Sequence, residues 1–241
     1  MKEYMVSSFA LILGITALLT AVSFAFLHPI LRLMQIPADV YGMMYDYMWI
    51  ILFGLPFIFL YNFFAFLLRS VGNSVTPLVF LGVSTVLNIG LDYVFVAVFD
   101  WNVEGAAIAT VLSQIISGIG IAVYSFAKET VLRLKREELR VNGGILGEIF
   151  SYSAATGIQQ SVMNFGILMV QGLVNSFGTA VMAAFAAGVK IDTLAYMPAQ
   201  EFGNAYSIFI SQNYGAGKKG RIRKGSKSAV AVVLVFCLAA S

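Results

Sequence analysis

The sequence predicts an all-α polytopic membrane protein. Three observations carry this. Hydrophobic residues make up 59% of the 241 positions and charged residues only 11%, against about 25% charged in an ordinary soluble domain. The mean hydropathy is +0.86. The apolar residues fall in runs of about 20 or more, the length that crosses a bilayer as a helix.

Six such runs and a partial seventh follow in order. The first spans Tyr4 to Leu27 and is closed by His28-Pro29, with a short polar stretch through Asp39. The second spans Met43 to Leu68, and Gly54 with Pro56 predict a kink inside it. A tight polar turn, 69–77, leads to the third, Leu78 to Phe99. The turn Asp100 to Gly105 leads to the fourth, Ala106 to Phe126. A charged segment from Lys128 to Arg140 reads as a short surface helix between two lobes. The fifth run is Leu146 to Val174. The sixth is Ala180 to Ile210, interrupted at Pro198. A basic loop, Gly215 to Lys227, precedes a seventh, partial run, Ser228 to Ser241. Because the last run is too short to finish a crossing, the chain is read as a fragment of something longer. The expected organisation is 1–127 as part of one lobe, 128–145 as linker and 146–241 as part of a second lobe.

Charge sets the expected orientation. Lys128, Arg133, Lys135, Arg136 and Arg140 form one basic cluster. Lys218, Lys219, Arg221, Arg223, Lys224 and Lys227 form another. Two spans separate them, so both lie on one side, which the positive-inside rule makes cytoplasmic. The alternate turns then face out, and Arg32 is their one basic residue. This pattern speaks for multi-pass topology in a cell (inner) membrane and not for nucleic acid, which wants a basic stripe on a soluble face. One cysteine, Cys237, excludes an intrachain disulfide framework, and one histidine, His28, excludes a His-rich metal site. No cleavable signal peptide is visible. No Gly-x-Ser-x-Gly, phosphate-binding loop or His-Glu-x-x-His occurs, so no enzyme and no ATP-driven pump is expected, and no cofactor beyond a coupling ion.

Polar residues inside the apolar runs are costly and mark functional candidates. Asn88 and Asp92 are four apart and share a helix face. Asp92 lies roughly 12 Å before the outer turn and Thr110 roughly 10 Å after it, at 1.5 Å per residue. The two arms are antiparallel, so the groups sit at like depth. Amide oxygen, carboxylate and hydroxyl suit Na⁺, or a proton carried on Asp92. The alternative is that Asn88 and Thr110 join two helices while Asp92 faces a watery vestibule. In the fifth and sixth runs, Gln159, Gln160, Asn164, Lys190, Asp192 and Glu201 are candidates for a polar cavity lining. Lys190 and Glu201 share a face but touch only if Pro198 bends the helix. The alternative for these residues is pairing with helices outside this chain. Gly105-Ala-Ala and Gly203-Asn-Ala read as close helix contacts.

Several stretches resemble the MATE (multidrug and toxic compound extrusion) transporters, DinF-like members above all. They are Arg69-Ser-Val-Gly-Asn-Ser-Val-Thr-Pro77, Leu87-Asn-Ile-Gly-Leu-Asp-Tyr93, Val103-Glu-Gly-Ala-Ala-Ile-Ala-Thr110, Met197-Pro-Ala-Gln-Glu-Phe-Gly-Asn-Ala-Tyr206 and Ser211-Gln-Asn-Tyr-Gly-Ala216. The resemblance implies a two-lobe, twelve-helix transporter of which this chain holds about helices three to nine. It implies a first-lobe cation site to which Asn88, Asp92 and Thr110 correspond, with a further Asp on a first helix that this chain lacks. NorM-like relatives use second-lobe carboxylates, and Gly157-Ile-Gln-Gln-Ser161 offers none. The function implied is antiport of organic, cationic compounds against Na⁺ or H⁺, by a protein monomeric at full length. A lipid-linked sugar or polysaccharide flippase of the same superfamily is the second reading, and a non-transporting membrane scaffold is the third.

Overall fold

The computed structural model describes residues 2–33, 40–129, 132, 141–175, 177 and 179–240. The chain divides into two compact units, Met1–Ser151 and Tyr152–Ser241.

In the first unit, α1 (Lys2–Ala25) is followed at once by a short α2 (Leu27–Leu33). His28-Pro29 was expected to end helix there. Instead Pro29 lies in the first turn of α2, where a missing N–H costs little because it has no intrahelical partner anyway. The expected kink is present: α3 (Tyr41–Leu52) and α4 (Leu55–Ser70) are bent by 42°. At the break the bonds tighten to Phe53 N–H to Ile50 O, 3.1 Å, and Gly54 N–H to Ile51 O, 2.8 Å. Pro56 sits in the first turn of α4. Beyond the turn, the Thr76 N–H donates to Asn73 Oδ1 at 3.2 Å, and Asn73 Nδ2 donates to Glu129 Oε1 at 3.0 Å. These bonds start α5 (Val75–Asp92) and tie its turn to the end of α6 (Asn102–Lys128).

The third run is not α-helical throughout. After Asp92 the chain winds into a π-helix, Tyr93–Val98, with Phe99 N–H reaching Val94 O at 3.0 Å. Periodicity in the sequence does not reveal such a switch, since the apolar residues continue unbroken. The rise of an α-helix therefore does not apply over the last residues before the outer turn. That turn holds Asp100 at φ 57° and Asn102 at φ 49°, residue types that tolerate left-handed backbone.

Helix α6 is the spine of this unit and packs against α3, α4 and α5. Its buried face is mostly small, with Gly105, Ala107, Ala109, Ser113, Ser117, Gly118 and Ser125 beside Val111 and Ile121. Small residues let backbones approach, the packing mode of membrane helices. A Cβ added at Gly118 would meet Phe57 O at 2.7 Å, and one at Gly105 would meet Phe95 O of the π-helix at 3.1 Å. Gly105 is thus the close contact expected. Gly203 is not, because a Cβ there meets nothing within 4 Å. Met5, Phe64, Ala65, Leu68 and Ile121 close one apolar cluster, and Leu27, Leu31 and Leu52 another. The outer face of α5 shows Val75, Leu78, Val83, Val86 and Ile89 to the surroundings. Lipid chains are as apolar as these side chains, so such a face is stable in a bilayer.

Helix α7 (Gly143–Asn175) starts in the first unit, where Asn142 Oδ1 accepts from Gly144 N–H at 2.9 Å. The Asn142 N–H in turn donates to Ser7 Oγ at 3.2 Å, and Tyr4 Oη donates to Glu148 Oε2 at 2.9 Å. The charged connection expected as a surface helix over 128–140 lies mostly outside the described residues.

In the second unit, α8 (Thr179–Gly215) runs through Pro198 without the interruption expected. One absent N–H removes one hydrogen bond, which a long membrane helix tolerates. The basic loop is also shorter than expected: α9 (Lys219–Ala240) takes in most of it. Lys and Arg are good helix formers, and the turn is set by Gly217 at φ 68°, with Lys218 N–H to Asn213 O at 2.8 Å. That is a Schellman end. Tyr206 Oη donates to Ser226 Oγ at 2.6 Å and joins α8 to α9.

Among the described residues, α1, α5 with its π-helix, and α6 are long and apolar enough to cross a membrane. The bent α3–α4 pair makes a fourth if it is one span. The six full spans expected include α7 and α8. These are long enough to cross at 33 and 37 residues.

Candidate functional site

Helices α5 and α6 meet along a polar seam. Ser84, Asn88 and Asp92 lie at four-residue steps on α5, so they line one face. Opposite them on α6 are Thr110, Ser113, Gln114 and Ser117. Asn88 Nδ2 donates to Thr110 Oγ1 at 3.4 Å, and Thr110 Oγ1 donates to Ala106 O at 2.9 Å. Ser84 Oγ donates to Ser113 O at 3.1 Å, and Ser117 Oγ donates to Phe80 O at 3.4 Å. The hydrogen bonds thus spend the hydroxyl protons on carbonyls and leave oxygen lone pairs in the seam.

The structure brings two of the three predicted cation ligands into contact, Asn88 and Thr110. Asp92 lies one turn further along the same face of α5, half-buried, at the junction of α-helix and π-helix. Its Oδ1 is buried with no hydrogen-bond partner. π-Helical turns are frequent at functional sites. Here the switch falls at the one carboxylate inside the span. Asp92 oxygen, Asn88 Oδ1 and Thr110 Oγ1 remain as acceptors, a hard and oxygen-rich set. Among the described residues no three His, Cys, Asp or Glu side chains come together to hold a metal ion. One carboxylate among neutral oxygens suits a single positive charge better than two.

Beyond the π-helix, Asp46, Asp100 and Glu104 border one cleft of about 670 Å³ with Trp101 and Asn102. It lies at the Asp92 end of the seam. Like-signed charges around a cleft raise the local concentration of counter-ions.

The six candidates in the second unit, Gln159, Gln160, Asn164, Lys190, Asp192 and Glu201, are all exposed on α7 and α8. Glu201 accepts from Asn204 Nδ2 at 3.4 Å, a local bond within one turn of α8. Tyr196 Oη reaches Met163 Sδ at 3.9 Å and links the two helices.

Sequence reasoning missed Ser84, Gln114 and Ser117. Ser84 carried a usable signal, since it extends the Asn88–Asp92 spacing by one turn. Gln114 did too, as an amide inside an apolar run one turn from Thr110.

Fold and seam together define a polytopic all-α membrane protein with a polar seam between two of its apolar helices. The MatE family model matches residues 1–94 and 154–241. "Probable multidrug resistance protein YpnP" of Bacillus subtilis is 30% identical over 223 residues, which is 92% of this chain and 49% of that protein. "Multidrug export protein MepA" of Staphylococcus saprophyticus is 26% identical over 79% of this chain and 43% of its own length. Among solved structures, the Vibrio cholerae MATE transporter VcmN in its bent form superposes with a TM-score of 0.84 at 26% identity. That match covers 96% of this chain and 53% of VcmN. A MATE crystal structure in a bent conformation gives 0.90 at 21% identity over 99% of this chain. The chain belongs to the MATE family of transporters. It spans about half the length of the curated relatives it matches.

Proposed function

We propose that this chain is the cation-coupling part of a secondary antiporter that exports organic, cationic compounds in exchange for Na⁺ or H⁺. Asp92 is the coupling group, and Asn88 and Thr110 complete its oxygen set. The observation that carries this reading is the buried, unpartnered Oδ1 of Asp92 at the π-helical junction, one turn from the Asn88–Thr110 bond. A cation or proton there satisfies that oxygen. It thereby stabilises the arrangement of helices that forms the site. Substrate binding to the other arrangement completes the coupling, because each ligand shifts the equilibrium only by its differential affinity.

The names of the relatives, multidrug resistance and multidrug export proteins, support small organic substrates. The exposed polar residues of α7 and α8, Gln159, Gln160, Asn164, Lys190, Asp192 and Glu201, are proposed to line the substrate path. The acidic cleft at Asp46, Asp100 and Glu104 favours cations near the Asp92 end. The protein works in the cell (inner) membrane as a monomer, with the Lys218–Lys227 stretch on the cytoplasmic side. The test is Asp92→Asn in a full-length transporter containing this chain, in vesicles with an imposed Na⁺ or H⁺ gradient. Loss of gradient-driven export is expected. Export at the wild-type rate overturns the assignment.

A further inference from the structure

Away from the Asp100 turn, the α5/α6 seam opens into a cleft of about 170 Å³ against α4. It is lined by Tyr61, Ser84, Gln114 and Ser117, with Phe57, Ile58 and Leu81 as its apolar wall. Three of the four polar groups have spent their protons on backbone carbonyls. Tyr61 Oη donates to Pro77 O at 2.9 Å, Ser84 Oγ to Ser113 O and Ser117 Oγ to Phe80 O. What they turn to a guest is therefore lone pairs. The fourth, Gln114, has a buried Oε1 with no hydrogen-bond partner. Its amide packs at the α3–α4 bend, where any Cβ on Gly54 would collide with Oε1. The last torsion of a glutamine is broad, so the amide plane can present this oxygen to the cleft. Unpaired buried acceptors are costly, and a cleft of this volume, apolar over most of its lining but with four polar groups at its edge, has room for several waters.

We propose that this cleft is a hydration site. Water molecules in it supply the donors that Tyr61, Ser84, Gln114 and Ser117 lack. They extend the Asp92–Asn88–Thr110 site by about two helical turns towards the Gly72–Ser74 turn. Ser84, Asn88 and Asp92 at four-residue steps, with Thr110 and Gln114 opposite, make the row continuous. The α4 wall, Phe57, Ile58 and Tyr61, lies just beyond the bend, so a change of bend angle opens or closes the water row. The inference rests on the reading of Asp92 as the coupling group only for its use. The water itself is tested without transport, so dryness here and unimpaired export by Asp92→Asn are separable results.

The experiment uses the full chain in lipid nanodiscs with Cys237→Ser. Ser84→Cys reports on the cleft, and Ile89→Cys reports on the outward apolar face, where Ile89 is 63% exposed. The probe is methanethiosulfonate ethylammonium. A thiolate forms only where water reaches it, so Ser84→Cys is expected to react at least about tenfold faster than Ile89→Cys. Adding Gln114→Leu removes the orphan acceptor. It is expected to slow Ser84→Cys by about fivefold through lost hydration of the thiolate and to leave Ile89→Cys unchanged. Where Gln114→Leu loses helicity, Gln114→Met replaces it. Equal rates in NaCl and N-methylglucamine chloride are expected for water, whereas protection by Na⁺ alone reassigns the guest as an ion and overturns the proposal. Equal rates at positions 84 and 89 show a dry cleft and overturn it as well.

Discussion

Asn88 donates to Thr110 across the α5/α6 seam, and the direction of that bond is dictated by a second one. The Thr110 proton is committed to Ala106 O at 2.9 Å, so Thr110 Oγ1 must accept from Asn88 Nδ2 at 3.4 Å. The amide orientation follows, and Asn88 Oδ1 is left as a free acceptor on the face shared with Asp92. The helix-joining contact and the proposed cation-ligand set thus use the same arrangement. The two readings that spacing alone left open do not exclude each other.

The Asn88–Thr110 bond is expected to be modest. A double-mutant cycle of Asn88→Ala and Thr110→Val, read by thermal unfolding in detergent, should give a coupling energy of about 0.6 kcal/mol, the usual size for such bonds between membrane helices. Thr110→Ser keeps the hydroxyl and should retain the coupling. A coupling of zero would mean the two side chains do not touch.

Asp92 as the proposed coupling group carries a stability cost. Its Oδ1 is buried and unpaired, and an unsatisfied buried acceptor costs about 1–3 kcal/mol. Asp92→Asn should therefore abolish gradient-driven export while leaving the chain as stable as before, or more stable by about 1 kcal/mol. A strong loss of stability would make Asp92 a structural residue and not a coupling one.

The spine tolerates no bulk at its tightest approach. Gly118→Ala places a methyl against Phe57 O, and overpacking of this kind costs about 1–3 kcal/mol. The same change at Gly82 on α5, where nothing lies within 4 Å, should be neutral or stabilising by about 0.4–1 kcal/mol. Equal effects at the two positions would show that α4 and α6 do not meet at Gly118.

Orientation has its own check. With Cys237→Ser, Glu104→Cys and Lys219→Cys should label from opposite sides of the membrane with an impermeant thiol reagent, Lys219→Cys from the cytoplasmic side. Labelling of both from one side would invert the count of crossings between them.

Much of the fold was legible in the chain because it depends on local properties. Apolar run length marks α1, α5 and α6, and Gly54 with Pro56 marks the 42° bend. Local reading failed where the decisive term was a neighbour or a cap. Pro198 does not stop α8, and the basic stretch after Gly217 is helix α9. Proline costs a single bond in a long helix, and a Schellman end needs only three residues before helix resumes.

By itself, the sequence determined that this is a multi-pass membrane protein and that Asn88 and Asp92 share a helix face; the structure sets Thr110 against Asn88, with Asp92 one turn further on. Run length and helical period are one-dimensional quantities, readable in order along the chain. Only the tertiary structure decided which oxygens stay free. That depends on how α6 is turned against α5, where Gly105 meets Phe95 and Ser84 donates to Ser113 O. This packing spends the proton of Thr110 on Ala106 O, leaves Asp92 Oδ1 unpaired beside a π-helix, and places the Gln114 amide against the Gly54 bend.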